Sequence, residues 1–216
     1  MRVAVIAILA TLGCGDPGDD GIVTPDAGEL LDGGEVTTEL RLRFEADPSR
    51  GDFDADFDPT LTDIEILLSN VRAIGDSAPG DERTTIENLT LSFVESDSQV
   101  VQFDAAPVGR YSRVRARVDS FVTRGELTIG AELLNWEIDV QAPGGLELDI
   151  SLAPVDLEPG QQAQIDLAVE LDKPYDEVDW DSFDTSGGTL RVDDSYREID
   201  SVREKILDAF DGEDKS

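Results

Sequence analysis

Histidine is absent from the 216 residues, and cysteine and methionine occur once each. Without histidine the chain can build no Ser-His-Asp or Cys-His nucleophilic system and no His-ligated zinc, copper or haem site. Only carboxylate, tyrosine, lysine and hydroxyl chemistry is left to it. A lone Cys14 has no intrachain disulfide partner, so packing has to hold the fold. Basic charge is scarce as well: 17 Lys and Arg stand against 49 Asp and Glu, a formal net charge of −32, and the lysines are Lys173, Lys205 and Lys215. Phosphate binding needs cations that displace counterions, so nucleic acid and anionic lipid headgroups are excluded as partners. An acid surplus of this size favours solubility at high ionic strength, where self-repulsion is screened over about 8 Å or less, and it fits a saline habitat.

A membrane-spanning run is also missing. Val3–Leu12 (VAVIAILATL) is apolar, but about ten residues at about 1.5 Å each cover only half of the ~30 Å hydrocarbon layer. With Arg2 before it and Gly13-Cys14 after it, the run reads as the core of a signal peptide, residues 1–13. Small Gly13 next to Cys14 resembles the lipobox of bacterial lipoproteins, although Thr11 stands where such boxes prefer leucine. The resemblance implies acylation of Cys14, whose chains, at about 0.8 kcal/mol per buried CH₂, anchor the protein to a lipid bilayer without spanning it. Residues 14–35, rich in Gly, Asp and Pro and without apolar periodicity, read as a flexible acidic tether with a reach of roughly 25 Å.

From Val36 the dominant period is two. Leu40, Leu42, Phe44 and Ala46 alternate with charged residues, and Ile64, Ile66 and Leu68 alternate with Asp63, Glu65 and Leu67, as in strands with one buried face. After Asn70 the phase moves to Val71 and Ala73, which predicts a bulge. Further strands are predicted over 85–94, 99–104, 111–121, 126–141, 146–152 and 162–171, with turns at 75–80, 104–109, 143–145 and 158–160. The fold class is therefore mainly β: a single antiparallel β-sandwich over 36–185. Residues 186–216 form a C-terminal extension. In it, Ser195 to Glu198 has capping-box spacing, and Tyr196, Ile199, Val202, Ile206, Leu207 and Phe210 share a stripe, so 195–210 reads as one amphipathic helix.

Ala106-Pro107-Val108-Gly109-Arg110-Tyr111-Ser112-Arg113-Val114-Arg115, with the later Leu157-Glu158-Pro159-Gly160-Gln161, resembles turn-and-strand features of bacterial lipoproteins with a prealbumin-like (transthyretin-like) sandwich, the DUF4382-like group. The likeness spans about Glu39 to Leu171. It implies a prealbumin- or Ig-like sandwich and an envelope location, and it lends no activity.

Three groups of residues could carry chemistry. Asp52, Asp54, Asp56 and Asp58 recur at every second position, with Asp63 eleven residues after Asp52, near the ligand spacing of a Ca²⁺ loop. Phe57 replaces the turn glycine of such a loop, and Asp63 replaces its bidentate glutamate; the competing reading is a solvated acidic loop. Asp172, Asp176, Glu177, Asp179, Asp181 and Asp184 surround Tyr175, Trp180 and Phe183, a mixture that can bind glycans or, across a cleft, hydrolyse them. The plainer expectation is that these aromatics plug into the domain. Arg113, Arg115 and Arg117 must share one strand face, opposite Val114, Ala116 and Val118, where cross-strand acids would pair them.

The combined expectation is a non-enzymatic envelope lipoprotein, anchored to the outer membrane on its periplasmic or surface face. Its sandwich would bind an envelope protein, a glycan or a cation. The alternatives are a carboxylate-based glycan hydrolase and a Ca²⁺-binding surface protein.

Overall fold

The computed structural model describes residues 38–47, 55–75, 82–94 and 96–211. The predicted leader and tether, Cys14, Asp52 and Asp54 lie outside them. The chain runs β1 (Glu39–Asp47), β2 (Thr60–Gly75), β3 (Thr85–Ser92), β4 (Ser98–Asp104), β5 (Gly109–Ile129), β6 (Glu132–Leu157), β7 (Gln162–Glu170), α1 (Asp172–Asp176), β8 (Thr189–Val192), α2 (Ile199–Asp208) and β9 (Phe210–Asp211). One sheet has the order β4-β1-β7-β9 and the other β3-β2-β5-β6-β8. Alternation does what the sequence predicts: Leu40, Leu42, Phe44 and Ala46 of one sheet and Ile64, Ile66 and Leu68 of the other are buried in a common hydrophobic cluster. The mainly β sandwich with a helix near its C-terminus is thus the observed architecture. The pairing directions differ from the expectation of antiparallel neighbours throughout. β1 runs parallel to β7, and β6 runs parallel to β8.

The phase shift at Asn70 is a bulge, as expected. Asn70 adopts φ 52° and the register with β5 slips between Ser69 and Arg72, so Val71 and Ala73 return to the core. Pro143-Gly144-Gly145 is a correction: it does not separate two strands but forms a wide bulge inside β6. There β5 passes through one residue, Asp119, while β6 passes through 142–145, with Gly144 at φ 93° and Gly145 at φ 74°. The runs 111–121 and 126–141 likewise belong to one long hairpin, β5–β6, which turns at Gly130 (φ 65°).

Residues 186–211 are woven into both sheets. β8 pairs with β6 along Asn135–Ile138, and β9 pairs with β7 at Ala168 and Val169. The helix is shorter than predicted, and its capping box does not form. The Ser195 hydroxyl donates to Asp193 Oδ1 at 2.6 Å, and the Ser195 N–H donates to the same oxygen at 2.9 Å, so a local turn takes the would-be cap and the helix begins at Ile199. Ile199, Val202 and Ile206 face the core from α2.

The close approach of β2, β5 and β6 is made possible by Gly125. A Cβ there would lie 1.7 Å from the Thr60 carbonyl oxygen and 2.7 Å from Trp136 Nε1. At the opposite margin a side chain links the outer strands of the two sheets. Gln99 of β4 donates from Nε2 to the Thr90 carbonyl of β3 at 2.9 Å and accepts at Oε1 from the Ser92 N–H at 3.1 Å.

Candidate functional site

After β7 the chain turns into α1, which buries Pro174 and Tyr175 and leaves its acids at the surface. Tyr175 sits edge-on to Trp136 with ring centroids 5.1 Å apart, and Trp180 packs 5.0 Å from Tyr175 and 5.8 Å from Trp136. Trp180 Nε1 donates to the Tyr175 carbonyl at 3.2 Å. Phe183 and Tyr196 extend the cluster outward as a stacked pair at 5.8 Å. Tyr175 and Trp180 are 1% and 2% exposed, so these two rings pin the chain to the sandwich and offer no open face, while Phe183 is half-buried against them.

Tyr175 also brings together two segments that the sequence shows only far apart. Its hydroxyl donates to the Asp56 carbonyl at 2.9 Å. The same turn is held from the other side, where the Thr128 N–H donates to the Phe57 carbonyl at 2.8 Å. Phe57 and Asp58 take φ 73° and 49°, so Phe57 adopts the left-handed backbone that glycine would supply at the sixth position of a Ca²⁺ loop. In this acidic corner the Asp176 carboxyl, exposed but partly desolvated, is raised above the usual carboxylate range by that desolvation and then by the negative charges of Asp172 and Asp56. The Tyr175 phenol is pushed up by burial, with Asp176 and Asp56 adding to it. Like charges held this close favour uptake of a proton or of a cation.

Of the predicted loop ligands, Asp52 and Asp54 lie outside the described residues, and the other three divide between two elements. Asp56 and Asp58 lie in the turn, whereas Asp63 lies in β2, where its Oδ2 accepts from Arg124 Nη1 at 2.7 Å. Among the described residues no group of three or more Cys, Asp or Glu side chains is arranged to hold a metal ion. Sequence reasoning missed Glu170, buried at the end of β7 and ion-paired with Lys173, whose ammonium also donates to the Asp208 carbonyl at the C-terminal end of α2 at 2.6 Å.

A second charged surface lies on the outer face of the five-stranded sheet. Arg113 and Arg115 share Asp149 at 3.3 and 2.9 Å, Arg117 pairs with Glu147 at 2.8 Å, and Arg124 joins Glu137 at 2.8 Å. Arg191 of β8 continues the ladder to Asp139 at 2.6 Å. The arginine stripe is therefore neutralised across strands, with Val114, Ala116 and Val118 buried beneath it, as the alternation predicts. Arg124 is held more firmly protonated than usual, first by its bond to Glu137. Tyr111, in the segment with the lipoprotein-like motif, closes its own turn by donating to the Pro107 carbonyl at 2.7 Å.

Comparison with family models, with curated proteins and with solved structures found no match to this chain.

Proposed function

We propose that this chain is an envelope lipoprotein, anchored to the outer membrane through acylated Cys14, whose acidic sandwich is a non-enzymatic binding module for an envelope partner. The observation that carries the reading is the succession in the first 35 residues: a ten-residue apolar run too short to span, a small residue, a lone cysteine, and then a Gly/Asp/Pro-rich tether leading into the folded domain. The likeness of Ala106–Arg115 and Leu157–Gln161 to prealbumin-like lipoproteins points the same way.

The geometry favours binding over glycan hydrolysis. Tyr175 and Trp180 are sunk in the core and cannot stack on a sugar, and the carboxylates of the outer sheet face are tied to arginines. Metabolic labelling with radioactive palmitate tests the anchoring. The wild-type chain is expected to take up label and to begin at Cys14 by mass spectrometry, and Cys14→Ser is expected to take up none. Label on the variant, or a native protein that retains Met1, overturns the reading.

A further inference from the structure

The bonds of Gln99 to β3 have the form of a strand pairing. In a parallel ladder one residue of the incoming strand donates its N–H to the carbonyl of residue i and accepts at its C=O from the N–H of residue i+2. The Gln99 side-chain amide does the same with the Thr90 carbonyl and the Ser92 N–H. One amide group of β4 thus stands in for one residue of a parallel neighbour on the outer edge of β3. On its other edge β3 is paired to β2, and among the described residues no strand continues the sheet beyond it. The two-residue period of the backbone turns Asn88 toward the same open side as Thr90 and Ser92, so the next parallel slot lies between Asn88 and Thr90.

The composition of this edge differs from that of the rest of the chain. β3 reads TIENLTLS, with Glu87 as its one charged residue, where 49 of the 216 residues are acidic overall. Proteins commonly blunt open edges with charge, proline or a bulge; among the described residues the device over Thr90 and Ser92 is a neutral amide. We propose that the β3 edge accepts an extended, basic peptide segment as an added parallel strand, with the Gln99 amide as the internal group that this strand displaces. Charge selects the occupant. A second copy would bring another −32 to the seam, whereas a lysine- or arginine-bearing strand is drawn to it and relieves the excess. Exchange of Gln99 for a strand keeps both β3 bonds and adds the pair at Asn88 and Thr90, so the displaced state loses no backbone partner. The proposal rests on the reading of the domain as a binding module, and it is independent of whether Cys14 carries acyl chains.

The test is fluorescence anisotropy with the purified chain and a labelled decapeptide of alternating valine and lysine. The wild type is expected to bind it, and Gln99→Ala, with the internal competitor removed, is expected to bind about tenfold more tightly. Thr90→Pro removes the outward N–H without touching the ladder to β2, so it is expected to keep the native circular dichroism and lose the peptide. A valine–glutamate decapeptide is the charge control and is expected not to bind. Equal affinity of wild type and Gln99→Ala, undiminished binding to folded Thr90→Pro, or equal binding of the acidic peptide overturns the proposal. Dimerisation of Gln99→Ala in place of peptide binding also overturns it, by making a second copy the occupant. Palmitate labelling reads the anchor separately, so the failure of one experiment is not the failure of the other.

Discussion

Gly125→Ala is the substitution whose consequence is most fully set by the structure. The new methyl would sit 1.7 Å from the Thr60 carbonyl oxygen and 2.7 Å from Trp136 Nε1, both far inside van der Waals contact. Neither obstacle can swing away. The carbonyl belongs to β2, whose Thr60 and Leu61 pair with Glu126 and Gly125, and the Trp136 indole is fixed against Tyr175 and Trp180. Relief therefore requires β2 to separate from β5 or the aromatic cluster to open. Overpacking typically costs 1–3 kcal/mol, and a backbone obstacle places this site at the top of that range, about 3 kcal/mol. For a domain of this size that is a fall in Tm of roughly 6–12 °C. Urea unfolding followed by tryptophan fluorescence is the assay, because the two tryptophans of the chain, Trp136 and Trp180, both lie in the affected cluster. Gly187→Ala, at a site with nothing within 4 Å and no positive φ, is the control and is expected to stay within about 0.5 kcal/mol of wild type. A loss below about 1 kcal/mol for Gly125→Ala, with unchanged native fluorescence, would refute the claim that this glycine sets the spacing of β2, β5 and β6.

Two further outcomes follow from the charged groups. Because the folded-state pKa of Asp176 lies above its unfolded value, wild-type stability falls as pH rises through that raised pKa; Asp176→Asn is expected to be the more stable protein at pH 7, by under about 1 kcal/mol at this exposed position, and to lose its advantage as pH is lowered toward 4, as thermal melts across pH would show. Arg124→Gln breaks the bonds to Asp63 and Glu137 at 2.7 and 2.8 Å, but the side chain is 45% exposed, so denaturant titration is expected to show a loss under about 1 kcal/mol that shrinks further in molar salt, and a larger, salt-insensitive loss would contradict the screened-ladder account.

The legible part of this fold is the part governed by nearest neighbours along a strand. Leu40 to Ala46 announces its buried face, Asn70 announces its bulge, and Arg113 to Arg117 announces its partners across the strand, because each rests on the two-residue alternation. Strand direction is not encoded that way: β1 shows the same alternation whether its neighbour β7 is parallel or antiparallel. Pro143-Gly144-Gly145 has the chemistry of a turn and also of a wide bulge, and only the continuous partner strand β5 decides between them. Ser195 failed as a cap because Asp193, two residues back, holds both its N–H and its hydroxyl in a local turn ahead of the helix. The acidic corner was half visible. Asp56 and Asp176 each belong to an acid-rich segment, but nothing in the sequence says that the Tyr175 hydroxyl reaches the Asp56 carbonyl 119 residues away. Gln99 gave no signal at all, since a glutamine at the start of a strand is unremarkable until the edge it covers is seen.

The late position of β8 and β9 bears on how the molecule is made. The β5–β6 hairpin can close locally, but β1 meets its parallel partner β7 only after five intervening strands, and each sheet gains its last member from Thr189–Val192 or Phe210–Asp211. Pairings between such distant stretches form slowly, because the intervening chain must first be brought to order. A polypeptide emerging from the ribosome therefore lacks the last pairing of each sheet until synthesis is nearly complete.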